Sequence, residues 1–235
     1  MARFRVASFN VHWGGLQRDG TPFDALAACH LLDADVLVLE EAWWPEGTPS
    51  WIDQLAMSYA HHHELPLSHG PMRKKLDAPK PTGSWGVAVF SRFPLRHVAD
   101  LPLGEVPGDP VRERRAAHLE LDVEGTEVDL IAAHISAFTL VGPNLQLRRL
   151  GPQLPDGDSD QPAVVIGDLN VTWPVIRPWM GRGWRRAVVG STWPSRRLAC
   201  QIDHIIVNRA VTARDGTVYD HMGSDHRPIA ATLEV

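Results

Sequence analysis

Apolar residues along this chain fall into short runs, most of which stop abruptly at a polar residue. Residues 4–9 (FRVASF) and 35–39 (DVLVL) are β-branched runs that end at Asn10 and at the pair Glu40 and Glu41. They predict strands that deliver side chains to a rim. Between them Phe23, Leu26, Ala27, His30 and Leu31 recur at helical spacing, with Thr21 and Pro22 as the expected cap and first-turn residues. Further strands are predicted at 86–91, 116–123, 127–134, 163–167, 202–207 and 227–234, and a short helix at 144–150. Gly125 and Thr126 separate two of these strands by a tight turn, which implies an antiparallel hairpin. Strands outnumber helices, so a doubly wound parallel fold is disfavoured. Residues 61–84 and 151–162 read as surface loops.

At 235 residues with 44% apolar content, the chain can bury a substantial core. The polar strand ends run from the first strand to the last, so the expectation is one domain over residues 1–235. A net charge of −5 provides no global basic field for duplex nucleic acid, so polyanion binding has to be local. Cys29 and Cys200 are the only cysteines, and both read as buried thiols rather than a disulfide framework. Without a signal-like amino terminus or a membrane-length apolar run, the expected location is cytoplasmic.

The candidate chemistry sits at the strand ends. VIGDLN places Asp168 and Asn170 two positions apart, so an extended backbone points both to one side, where they orient a water or form an Asx turn. Asp203 stands inside the apolar IDHIIV, where an ionised carboxylate is costly unless paired. SDHRP supplies Asp225 and His226, and a buried Asp beside a histidine favours the imidazolium that contacts a phosphoryl oxygen. Asn10 and either Glu40 or Glu41 offer oxygen ligands suited to Mg²⁺ or Mn²⁺. His134 closes LIAAH in the same way.

Together SFNVHW, DVLVLEE, GVAVFSRFP, IAAHIS, VIGDLN, IDHIIV and SDHRPI resemble, in this order, the endonuclease/exonuclease/phosphatase superfamily. The resemblance implies an α/β (α+β) fold, a four-layer α/β/β/α sandwich of two mainly antiparallel sheets with the site at one edge. It also implies that Glu41 is the metal ligand, aided by Asn10 and Asp225, and that His134 contacts phosphate. By the same pattern Asp168 and Asn170 orient water, Asp203 holds the histidine, and Asp225 and His226 form the final couple. His12 stands where some nuclease branches have an acid.

The expected activity is Mg²⁺-dependent hydrolysis of phosphodiesters of nucleic-acid type. The alternatives are a phosphomonoesterase acting on a small phosphorylated metabolite or inositol phosphate, and a binding module without catalysis. A zinc hydrolase is disfavoured by the oxygen-rich motifs. Trp43 and Trp44, next to Glu41, are expected to line the substrate pocket, and Arg112 and Arg114 to grip phosphate. Arg177, Arg182, Arg185 and Arg186, interleaved with Trp173, Trp179 and Trp184, read as a solvated face over a peripheral core. The run Arg73–Lys80 reads as a soluble basic loop, and His61, His62 and His63 as solvent-facing.

Overall fold

The computed structural model describes residues 1–72, 81–139 and 141–235. The basic run from Arg73 to Lys80 therefore lies outside the described residues. In chain order the strands are β1 (Arg3–Asn10), β2 (Val36–Pro45), β3 (His61–Pro71), β4 (Thr82–Ser91), β5 (Leu95–Gly104) and β6 (Arg114–Val123), followed by β7 (Thr126–Ala133), β8 (Ala163–Asp168), β9 (Arg185–Arg186), β10 (Asp203–Val207), β11 (Thr212–Val218) and β12 (Ile229–Glu234). The helices are α1 (His12–Gly15, one turn), α2 (Ala25–Leu31), α3 (Trp51–Ala56), α4 (Gly142–Leu150) and α5 (Trp173–Met180).

Among the described residues two six-stranded sheets result, ordered β11-β12-β1-β2-β4-β3 and β5-β6-β7-β8-β10-β9. Each contains one parallel pair, β1 with β2 and β7 with β8, and the other pairings are antiparallel. The first six strands and the last six follow one plan: four build one sheet, and the last two cross over to extend the other.

Side-chain alternation sorts the apolar residues into three layers. Phe4, Val6, Val36, Val38, Leu119, Leu130, Val164, Ile166, Ile205 and Ile229 meet between the sheets. The opposite faces of the same strands, through Phe9, Leu37 and Leu39, pack on Cys29 and Leu32 at α2 and on Ile52 and Leu55 of α3. On the second sheet Ile131, Val165 and Ile206 pack on Leu147 and Leu150 of α4 and Ile176 of α5. The outcome is the expected α/β/β/α sandwich. A fully buried Leu or Ile is worth about 1.5–3 kcal/mol relative to exposure, so these layers dominate stability.

Several local expectations change. Asp24, not Thr21, caps α2, its carboxylate accepting from the Ala27 amide at 2.9 Å. Within the predicted loop 61–84, residues 61–71 form β3, which pairs antiparallel with β4 from Thr82 onward. His61 and His63 occupy the inward positions that continue to Leu65 and Leu67, so polar residues conceal the alternation. Pro66 is accommodated at a register shift on this edge strand. Cys29 is buried and Cys200 only half-buried, both as free thiols. Trp184 is buried and Trp173 and Trp179 pack against the α4–α5 layer, as the solvated-face reading expects. Among the described residues no helix is long and apolar enough to cross a membrane.

Candidate active site

Alternation continued one step past the apolar layer explains where the polar residues go. Ser8 and Asn10 follow Phe4 and Val6 on the inter-sheet face, Glu40 follows Val38, His134 follows Ala132, Asp168 follows Ile166, and Asp203 precedes Ile205. All six are buried. They collect where the carboxyl ends of both parallel pairs meet, the position at which open α/β sheets bind ligands.

Asp168 is the centre of this group. Its Oδ1 accepts from the Asn170 amide and its Oδ2 from Asn10 Nδ2, each at 2.9 Å. The same Oδ2 lies 3.6 Å from His134 Nε2 and 3.8 Å from His226 Nε2. His226 Nδ1 is 3.0 Å from both oxygens of Asp203, which fixes the ring so that Nε2 faces Asp168. Asn170 donates its carboxamide to Ile135 O at 2.9 Å, leaving its oxygen to accept.

The two imidazoles differ in charge state. Burial alone would lower His226, but the Asp203 and Asp168 carboxylates around it raise it well above the ordinary range, making an imidazolium. Burial, with Arg114 and His226 nearby, holds His134 well below that range, making a neutral ring. Burial and the Asp203 charge push Asp168 up, against the opposing pull of His226 and its hydrogen bonds.

Glu40 and Glu41 are separated by a bulge. β2 inserts an extra residue against β4 between Leu39 and Ala42, and Glu41 takes a left-handed φ of 56°. Glu40 consequently stays between the sheets, accepting from Ser8 Oγ at 2.9 Å, while Glu41 lines the cleft. Burial first, then the Asp203 and Asp168 charges, raise the Glu40 carboxyl well above its ordinary value, which favours its neutral form. Gly167 allows this crowding, because a Cβ there would sit 2.0 Å from Ala133 O and 3.1 Å from Glu40 Oε1. Left-handed backbone recurs at His12, Trp13 and Asn170 around the same cleft, and such non-glycine residues cost about 1–3 kcal/mol each. The α1 turn aims the His12 amide at Asn10 Oδ1 (2.9 Å) and the Trp13 amide at Glu41 Oε2 (3.2 Å).

The cleft encloses about 670 Å³. Its lining holds Glu41, Asp109, Asp168 and Asp225 against one arginine, Arg114, and Asp225 Oδ1 is buried without a hydrogen-bond partner. Carboxylate oxygens in surplus, one of them orphaned, fit a hard divalent cation better than nitrogen-rich zinc chemistry. Arg114 is buried, donates to Asp109 Oδ2 at 2.8 Å and His134 O at 3.1 Å, and lies over the Trp85 ring. Trp85 in turn lies 5.1 Å from the His134 ring.

All eight residues expected at the chemistry converge: Asn10, Glu41, His134, Asp168, Asn170, Asp203, Asp225 and His226 are joined by the contacts above or line the cleft. The expected substrate residues divide. Arg114 is on the wall, whereas Arg112 lies outside the cleft, Trp43 is buried in the inter-sheet layer, and Trp44 packs on the helix side. For Trp43 and Trp44 the bulge is the reason, because the bend that sends Glu41 into the cleft returns the next residues to the strand. The aromatic walls are instead Trp13, Trp85, Phe138 and Trp193. Trp85 shares parity with the inward-facing Val87, so extending the predicted strand 86–91 back by one residue would have found it.

The model of the Endonuclease/Exonuclease/phosphatase family matches residues 7–226. No curated protein matches by sequence. Among solved structures, an endonuclease/exonuclease/phosphatase from Beutenbergia cavernae is similar over 100% of this chain and 72% of its own, with 21% identity and a TM-score of 0.75. A mannosyl-6-phosphatase from Bacteroides thetaiotaomicron aligns over 99% of this chain and 100% of its own (15% identity, TM-score 0.67). TDP2 from D. rerio, complexed with a single strand DNA product, aligns over 100% of both chains (17% identity, TM-score 0.68). The match over most of the chain agrees with the four-layer sandwich and its acid-and-imidazole cleft: the chain belongs to the endonuclease/exonuclease/phosphatase family, whose members are phosphoester hydrolases.

Proposed function

We propose that this protein hydrolyses phosphodiesters with Mg²⁺, by in-line attack of a water held at Asp168. The observation that supports it most is the position of Asp168, pinned between two imidazoles in different charge states in a cleft that also holds Glu41 and Asp225. Glu41, Asn10 and Asp225 would hold the cation, which when bound supplies Lewis-acid stabilisation of charge on the phosphoryl oxygens.

Asp168 takes a proton from the water, and its raised proton affinity suits a base working near neutral pH. The Asn170 oxygen orients the same water. His226, an imidazolium held by Asp203, donates through Nε2 to a phosphoryl oxygen, and neutral His134 donates through its own Nε2. Asp203 fixes the His226 donor before substrate arrives, so it stabilises developing charge without reorganising. Trp13, Trp85 and Phe138 give a stacking surface for an aromatic substituent of the ester.

A phosphomonoester of a small metabolite is the second reading, favoured by one observation. Among the described cleft residues Arg114 is the sole Arg or Lys, and Asp109 already neutralises it. An extended polyanion finds little free positive charge there.

The test is hydrolysis of bis-p-nitrophenyl phosphate and p-nitrophenyl phosphate with Mg²⁺ and with chelator, by parent and Glu41→Gln. We expect Mg²⁺-dependent turnover that favours the diester and falls about 10²-fold or more in the variant. Chelator-insensitive turnover, or an unaffected variant, overturns the reading.

A further inference from the structure

A second cluster of ligand-type side chains lies away from the cleft, on the edge strands of the two sheets. The inward face of β3 runs from His63 through Leu65 to Leu67, and His63 pairs in register with inward-facing Val89. Across the sandwich, β5 presents His97 opposite Leu119 and Asp100 opposite Ala117, both partners belonging to the inter-sheet layer. Residues three apart on a regular strand face opposite ways. The register shift between His97 and Ala99 turns both to the same side.

The three residues offer nitrogen and oxygen atoms that all lie within 4.8 Å of one another. His97 Nε2 is 2.9 Å from Asp100 Oδ1, and the rings of His63 and His97 face each other. His63 Nε2 is buried without a hydrogen-bond partner, an unmet polar group that burial would ordinarily remove. Burial and the facing His97 keep the His63 ring below its ordinary range, hence in the neutral form that binds metals. The other Asp100 oxygen is held by Arg115 Nη1 at 2.6 Å, while Arg115 Nη2 donates to Pro66 O of β3 at 2.9 Å. Arg115 thus orients the carboxylate from outside the cluster and already ties the second sheet to β3.

We infer that His63, His97 and Asp100 form a transition-metal site, of the Zn²⁺ class, that clips the edge strands of the two sheets together. Two imidazoles and a carboxylate select borderline cations such as Zn²⁺ or Co²⁺ over Mg²⁺. Ligand atoms around a tetrahedral zinc stand about 3.4 Å apart, given bonds of about 2.0–2.2 Å. The exposed His97 ring can turn to close that distance, and exposure on its side leaves the fourth position to water. None of the three residues lines the cleft, so this site is independent of the proposed hydrolysis.

The test uses the full chain freed of metal by chelator and then held in excess Mg²⁺. Zn²⁺ is titrated by calorimetry, Co²⁺ by visible absorption, and melting is followed with and without one equivalent of Zn²⁺. We expect one zinc equivalent that survives in Asp168→Asn, disappears or weakens at least about 10-fold in His63→Ala and Asp100→Asn, and raises Tm only where it binds. Should His63→Ala misfold, His97→Gln on the exposed side removes a ligand without disturbing the interior. Equal zinc stoichiometry and affinity in parent, His97→Gln and Asp100→Asn overturns the proposal, as does a zinc equivalent lost only in Asp168→Asn.

Discussion

The layer between the sheets has two parts built on one backbone pattern, and they are made for opposite ends. In the middle Val38, Leu130, Ile166 and Ile205 fill alternate positions with apolar volume. One step further along the same strands Glu40, Asp168 and Asp203 occupy equivalent inward positions, equally buried. Burying a carboxyl costs several kcal/mol unless it is paired. The middle therefore provides stability, and the cleft edge consumes some of it to hold charge where water is excluded.

Substitutions that separate the two regions follow from this. The largest effect is expected at Asp168→Asn, which removes the proposed base: kcat/KM should fall by about 10³-fold or more while Tm holds or rises, measured by Mg²⁺-dependent hydrolysis and calorimetry. Next comes Leu130→Ala in the middle. It should cost about 2–5 kcal/mol in denaturant unfolding yet leave kcat nearly unchanged in the folded enzyme at 25 °C.

The smallest effect sharpens the contrast. Burial and the nearby Asp203 and Asp168 charges raise the folded-state value of Glu40 above the unfolded value of 4.5. A raised value means that the folded state binds the proton more tightly. Its contribution is thus fully present below pH 4.5 and is lost as pH rises from there. Glu40→Gln keeps the shape and removes that loss, so the variant should melt higher at pH 8 with a smaller difference at pH 5, by about 2–4 °C for each 1 kcal/mol recovered. A variant that melts lower than the parent at pH 8 would show that Glu40 is ionised and paired.

What was legible in the sequence follows the same geography. Central strands have neighbours on both sides, so their apolar runs at 4–9, 35–39, 127–134, 163–167 and 202–207 stood out and their polar ends marked the cleft. The strands that escaped notice, β3, β5, β9 and β11, are the four sheet edges. Edge strands are half-solvated and rich in charge, as in TARDGTV of β11, which hides alternation and also protects the edge from pairing with other chains. The choice between Glu40 and Glu41 could not be read from alternation because a bulge breaks it there. The aromatic walls were missed for a related reason: Trp13 depends on a left-handed turn that no periodicity announces. His63 and His97 lie far apart in sequence on two edge strands, so only the sandwich brings them together.

The proposed hydrolysis requires that the acids near Glu41 and the base-and-imidazole group at Asp168 form one working site. A double-mutant cycle of Glu41→Gln and Asp168→Asn, read as Mg²⁺-dependent kcat/KM, tests it directly. The double variant is expected to be about as slow as the slower single variant, because each change disables the same step. Losses that multiply in full, or a double variant that retains parental turnover, would contradict it.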